Sequence, residues 1–234
     1  MTEAESNLRD GLKILGFVDE LLPQRLLDFA GLVLGANAET NLVGASSIVD
    51  LIATHLLDSL APLAGRSMSG QLIDIGSGAG FPAVPIAMAF ASVSTTMLEP
   101  RAKRADFLTR IIGRLSLKDA TARKVMAETA GRSDLRESAD IVTVRAVAAP
   151  ATALELAIPL LKRRGKVLLY VGRQQAPNEH ELGIADLLGG ALVEAKAVEV
   201  PYLQSVRHGW WFEKKKPTPS DYPRRAKVPS KQPL

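Results

Sequence analysis

The stretch Leu72–Pro82, LIDIGSGAGFP, reads as the end of a buried strand running into a tight turn. Its apolar run closes at Asp74-Ile75, and glycines then occupy every second position, Gly76, Gly78 and Gly80. A glycine-rich turn between strand and helix lets a ligand approach the backbone and the first turn of that helix. The dinucleotide fingerprint has the spacing G-x-G-x-x-G and sets a pyrophosphate on the helix N-terminus. Here the spacing is G-x-G-x-G, followed by the bulky Phe81 and by Pro82, which has no N–H to offer. The loop therefore suits a flatter, less anionic ligand. The same glycines could also serve the turn alone, because tight strand-to-helix turns need positive φ angles.

Working outward, apolar runs alternate with helical patterns. Strands are expected over Gln71–Ile75, Ser94–Leu98, Ala120–Val125, Ile141–Val144 and Lys166–Val171, with helices near Pro82–Phe90, Arg101–Arg114 and Pro150–Leu161. This order predicts a mostly parallel sheet with helices on both faces. Two further runs, Ala191–Val200 and Gly209–Lys214, are joined by a short connection and predict an antiparallel pair at one edge, making seven strands. Upstream, Leu21–Leu34 and Ile48–Leu63 carry apolar residues at helical spacing. The expected organisation is a helical region over residues 1–65, an α/β domain over 66–215 and a tail over 216–234. The second strand ends at Glu99, nineteen residues beyond Gly80. A carboxylate there can accept from both ribose hydroxyls of a nucleoside-containing cofactor. Asp74 could hold either the loop or an amino group of the ligand. A nicotinamide-dependent oxidoreductase is disfavoured by the loop spacing and by Pro82.

Composition narrows the function classes. The 234 residues are 47% hydrophobic and 23% charged, with no cysteine, so thiolate metal sites, disulfides and a cysteine nucleophile are excluded. No apolar run reaches membrane-spanning length, and MTEAESNLRD lacks the character of a signal peptide, which points to the cytoplasm. From Glu213 onward there are seven basic residues against two acidic ones, so the net charge of +4 lies wholly in the C-terminal segment. A local basic segment suits a polyanion such as RNA, although a charge run by itself is more often a solvated tail. With five prolines and no periodic run, residues 216–234 are expected to be extended.

Seven ordered segments carry a resemblance. They are NLVG (Asn41–Gly44), HLLDSL (His55–Leu60), LIDIGSGAGFPAVPIA, LEPRAKRADFL (Leu98–Leu108), ADIVTVRAVA (Ala139–Ala148), RHGWW (Arg207–Trp211) and YPRRAKVPSKQPL (Tyr222–Leu234). In these the chain resembles the bacterial small-subunit ribosomal RNA methyltransferase G family (RsmG, also GidB). The resemblance implies a Rossmann-like fold, S-adenosylmethionine as cofactor and transfer of its methyl group to N7 of a guanosine in 16S ribosomal RNA. It places Gly76, Gly78 and Phe81 at the cofactor, Glu99 at the ribose and Ala127-Glu128 beside the adenine. Arg145 falls at the mouth of that pocket, with a cofactor-binding and a catalytic role. The implied partner is 16S RNA or a small-subunit assembly particle, met by a monomer without metal or membrane. Lys103, Arg104, Arg224 and Arg225 are the implied RNA contacts. The family usually has arginine where Met126 stands, often lysine where Val171 stands, and glycine where Ala83 stands.

The chemistry is consistent with what the chain lacks. Guanine N7 carries an in-plane lone pair and no proton, so methyl transfer needs alignment rather than a general base. His55, His180 and His208 need no catalytic role. Asp58, three residues from His55, could sit near the cation formed on the base, or the pair could simply pack at the junction of helical and sheet regions. Arg101, Lys103 and Arg104 open a helix, where cations oppose the macrodipole, so either RNA or solvent receives them. Trp210-Trp211 could stack a base, but strand alternation turns at least one into the core. A non-catalytic RNA-binding module on the same fold is the rival reading. Removing the chain after Lys216 is expected to weaken RNA binding and to leave cofactor binding intact.

Overall fold

The computed structural model describes every residue except Met1, Ser46 and Arg173, and every side chain among the rest except those of Ala38 and Glu39. Its centre is one seven-stranded sheet built from β1 (Gly70–Ile75), β2 (Val93–Leu98), β3 (Ala120–Arg123), β4 (Ala139–Arg145), β5 (Leu161–Val171), β6 (Gly190–Val198) and β7 (Arg207–Lys214). The spatial order is β3-β2-β1-β4-β5-β7-β6. The first five strands are parallel, and β7 runs antiparallel to both β5 and β6. The chain winds outward from β1 to β3 and then crosses to β4 on the other side of β1. Such a reversal opens a crevice beyond the carboxyl ends of the strands. Register fixes what lies there: Ile75 pairs with Leu98 of β2 and with Val144 of β4. Gly76, Glu99 and Arg145 each come one residue later.

Helices cover both faces. On one side pack α1 (Glu3–Ile14), α2 (Leu22–Thr40), α3 (Ile48–Leu51), α4 (Asp58–Leu60), α5 (Ala83–Ala89) and α6 (Ala102–Arg114). The other side carries α7 (Ala127–Ala130), α8 (Pro150–Ala157) and α9 (Glu179–Leu187). Residues alternate across the sheet as the pleat requires: Leu72, Leu168 and Trp211 join the first core, while Ile73, Leu169 and Trp210 join the second. The N-terminal helices share the first core with the sheet through Leu8, Leu26, Phe29 and Leu56.

The expected helix over Ile48–Leu63 is interrupted. Between α3 and α4 the backbone widens into a π-helix over Ile52–Leu57, and a 3-10 turn over Ala61–Leu63 follows. α9 escaped the periodicity reading, although Asn178 and Glu181 form a capping box at its start. Both tryptophans are buried, Trp210 donating its indole N–H to the Gln175 carbonyl at 3.2 Å, so neither offers a stacking platform.

The expectation of an extended C-terminal tail is corrected. Residues 217–234 fold back along the second face and end in a short helix, α10 (Val228–Lys231). Arg136 donates to the carbonyls of Thr218 and Tyr222 at 2.8 and 2.6 Å, and Arg132 to those of Pro223 and Asp221 at 2.6 and 2.7 Å. Two side chains from the body of the domain thus satisfy carbonyls that a proline-rich segment cannot pair with itself.

Candidate functional site

The loop after β1 is held by its neighbour strand. The N–H groups of Gly76 and Ser77 donate to the Leu98 carbonyl at 2.8 and 3.1 Å. Glu99, buried at the end of β2, accepts from the Gly78 N–H at 3.0 Å on one oxygen and from the Arg101 N–H at 2.9 Å on the other. Each oxygen keeps further acceptor capacity. Gly76 and Gly80 have φ angles of 69° and 100°. A Cβ on Gly76 would stand 2.6 Å from Val147, and one on Gly80 would meet Val84 at 2.8 Å, so both positions exclude a side chain.

Beyond this loop lies a cavity of about 330 Å³. Gly76, Glu99, Ala127, Glu128 and Val147 line it, with Pro229 and Ser230 of the C-terminal segment forming part of its wall. The tail reaches it through specific bonds. The Lys227 N–H donates to Glu128 Oε1 at 2.8 Å, and Thr152 donates to the Pro229 carbonyl at 3.3 Å. Arg101 and Arg104 stand at the same cavity, and Arg104 donates to the Asn41 carbonyl at 3.2 Å, tying the NLVG loop to it.

A second cavity of about 330 Å³ adjoins the first at Ala146, which lines both. Its walls include His55, Asp58, Arg145, Tyr170, Arg207 and His208. Arg145 donates to Asp58 Oδ2 at 3.0 Å and contacts His55 Nδ1 at 2.9 Å. Arg207 pairs with Asp58 Oδ1 at 3.3 Å. Guanidinium can only donate, so His55 Nδ1 is the acceptor and the ring is neutral, its proton on Nε2. His55 stacks on Phe81, with centroids 4.9 Å apart, and the Arg145 guanidinium lies 5.6 Å from the same ring.

Thus Gly76, Glu99, Ala127 and Glu128 come together around the first cavity. Gly78 supplies its N–H to Glu99 without lining that cavity, and Phe81 lies under the His55–Arg145 pair instead of in its wall. Arg145 faces the second cavity. Asp74 lines neither: wholly buried, it accepts from Thr143 at 2.6 Å beneath the loop. Lys103 and Arg225 are exposed. Arg224 turns inward to Glu155, so its guanidinium is committed to the tail's attachment. Sequence reasoning missed Glu155, Tyr170, Arg207 and the tail's place at the first cavity.

Burial, reinforced by the Arg145 charge, lowers the His55 pKa to about 4. Burial raises Asp74 to about 6, against the hydrogen bonds of Ser77 and Thr143. It also raises Asp58, although Arg145 and Arg207 oppose it. The two shifts with values act oppositely on stability. Below its unfolded pKa, His55 takes a proton only in the unfolded chain, so its contribution is lost as pH falls toward 4. Asp74 holds its proton longer in the folded state, so its contribution grows as pH falls through 6. In urea unfolding of wild type and His55→Gln, the stability difference in favour of wild type is expected to shrink by about 2 kcal/mol between pH 7 and 4.5. A pH-independent difference would show that His55 titrates normally.

The sequence profile of the family described as rRNA small subunit methyltransferase G matches residues 23–196. The chain belongs to this family. It is 32% identical to Ribosomal RNA small subunit methyltransferase G of Alkaliphilus metalliredigens, with 99% of each chain covered. The homonymous protein of Lacticaseibacillus paracasei is 37% identical, with 86% of each covered, and that of Deinococcus radiodurans 34% identical, covering 97% of this chain and 91% of the other. Among solved structures, an S-adenosylmethionine-dependent methyltransferase from Aquifex aeolicus superimposes with a TM-score of 0.52 at 15% identity, covering 70% of this chain and 93% of that one. The antibiotic-resistance methyltransferase Kmr gives 0.51 at 15% identity, covering 68% and 92%. These structural likenesses establish the Rossmann-like methyltransferase fold, in agreement with the seven-stranded sheet. Among the described residues no helix is long and apolar enough to cross a membrane.

Proposed function

We propose that this protein transfers a methyl group from S-adenosylmethionine to N7 of a guanosine in 16S ribosomal RNA, acting as a cytoplasmic monomer. Family membership supports the reaction class. The observation that carries the mechanism is the pair of adjoining cavities that meet at Ala146, the second lined by a histidine whose Nδ1 is already engaged by Arg145. When bound, S-adenosylmethionine supplies an electrophilic methyl group on a sulfonium. The residues of the first cavity fit such a cofactor. Gly76 admits no side chain between ligand and backbone, and Glu99, fixed by two backbone N–H groups, has lone pairs left for ribose hydroxyls. Ala127-Glu128 and Met126 provide a mostly apolar flank for a flat ring.

Catalysis by the chain's own residues is then positional. Arg145 holds Asp58 and His55 in one arrangement at the second cavity, which fixes the geometry around the reacting atoms. No proton has to leave N7, which agrees with a neutral His55 whose Nδ1 is already taken. The experiment is methyl transfer from labelled cofactor to small subunits and to naked RNA, with the modified atom mapped. One labelled guanosine, methylated at N7, is expected. Label on another atom, or none on either substrate, would overturn the proposal.

Lys103, exposed on α6, and Arg225, exposed in the tail, are proposed to meet the RNA backbone. Replacing both with alanine is expected to lower the slope of log affinity against log salt by about 2, since each phosphate contact releases about one counterion. An unchanged slope would place the RNA elsewhere.

A further inference from the structure

Because the reaction acts on one base, the second cavity must do more than admit a purine. Three of its side chains already donate to fixed partners: Arg145 to Asp58 and His55, Arg207 to Asp58, and Tyr170 through its hydroxyl to the Ser59 carbonyl at 2.7 Å. Each of these cationic and hydroxyl groups already donates to a protein acceptor. The carboxylate acceptor among these lining side chains is Asp58. It is 6% exposed, and each oxygen holds one arginine while keeping a further lone-pair site. Opposite in character, guanine presents two adjacent donors, N1–H and the N2 amine, on the edge away from N7. Adenine presents an acceptor at N1 and no group at C2.

Resting on the N7 reading above, we infer that the second cavity is the acceptor-base pocket and that Asp58 selects guanine by accepting from N1–H and the N2 amine. The two arginines then have a specific purpose. They favour the ionised form of Asp58 and aim its oxygens, against a burial that opposes the charge. An adenine in the same place would set its N1 lone pair against the carboxylate, and a pyrimidine would fall short of it. A base held by that edge leaves its N7 side free to face the neighbouring cavity across Ala146. Near the same wall, His208 has a buried Nδ1 that no described residue engages, a polar end of the kind found where a ligand completes a site. The cavity volume of about 330 Å³ suits a single base, at the small end of ligand pockets.

The test replaces the target guanosine with inosine, which keeps N7, O6 and N1–H and lacks only the N2 amine. Small subunits reconstituted with either RNA are methylated by the full-length protein and by Asp58→Asn, and cofactor affinity is followed by calorimetry. For wild type, inosine is expected to lower kcat/KM about tenfold or more, the loss that follows from removing one hydrogen bond to a charged acceptor. In Asp58→Asn the guanosine rate falls and the guanosine-to-inosine ratio collapses to within about twofold, while cofactor affinity is retained. A merely structural Asp58 would lower both rates and keep the ratio. Equal wild-type rates on the two RNAs overturn the assignment even where Asp58→Asn fails to fold. Failure of the N7 reading is seen separately, as wild type that methylates guanosine-containing subunits at another atom, and it removes this assignment with it.

Discussion

Arg224→Ala is expected to destabilise the protein by about 3 kcal/mol and to weaken cofactor binding about tenfold. Glu155 is fully buried in α8, a helix otherwise composed of alanine, leucine, threonine and proline. Arg224 meets it with a two-pronged bond, Nε to Oε1 at 2.8 Å and the terminal nitrogen to Oε2 at 2.6 Å, and its own backbone N–H adds a third at 2.9 Å. Removing one partner of a buried ion pair leaves an uncompensated charge and typically costs about 3–5 kcal/mol. The surviving backbone bond argues for the lower end. The second effect follows because the same segment continues to Lys227, Pro229 and Ser230, which close the first cavity. The tail therefore forms part of the first cavity's wall, and if the cofactor binds there as proposed, removing the tail after Lys216 should cost cofactor affinity, contrary to the expectation from composition. Urea unfolding and calorimetric titration of Arg224→Ala and Arg224→Lys check both effects, with the lysine variant intermediate because it keeps charge and loses the fork. Wild-type cofactor affinity in an Arg224→Ala protein that is measurably destabilised would mean that the tail's attachment and the cavity are independent.

This pair also shows where a sequence stops being legible. The strands could be read because short, near-continuous apolar runs alternate with helical patterns, as in a parallel sheet covered on both faces, and the position of Glu99 followed from where β2 had to end. The antiparallel edge followed from the short connection between β6 and β7. Glu155 and Arg224 lie 69 positions apart, and nothing local marks either: one looks like a lone polar residue in an apolar helix, the other like one more charge in a basic tail. Lys214 was counted with that tail, yet it is 1% exposed in β7 and bonds Glu137 at 2.7 Å. Local pattern likewise could not show that the helix carrying His55 widens into a π-turn. That turn lies in contact range of Arg145 only because β4 sits next to β1, a fact of sheet order. The capping box of α9 is legible in Asn178 and Glu181, but the helix behind it has only weak apolar periodicity.

Arg145→Lys is expected to lower the single-turnover rate of methyl transfer about a hundredfold while cofactor affinity changes less than threefold. Arg145 lines the second cavity and not the first, so the loss should fall on the reacting geometry. Its two terminal nitrogens hold Asp58 at 3.0 Å and His55 at 2.9 Å at once, and its plane lies by the Phe81 ring. A single ammonium cannot reproduce that fork, so one of the two partners is released. Displacement of positioning groups by about 1 Å is enough for losses of about a hundredfold. His55→Gln should be much milder, within about fivefold, because the glutamine oxygen can still accept from Arg145. The pH dependence separates positioning from proton transfer. With His55 lowered to about 4, its ring is neutral throughout the range from pH 7 to 9, and N7 has no proton to give up. Rates of wild type and both variants are therefore expected to be flat across that range, at three different heights. A wild-type rate that rises through an ionisation near neutrality and loses that step in His55→Gln would establish a general base. Since a base is needed only where the acceptor atom carries a proton, that result would replace guanine N7 with another acceptor.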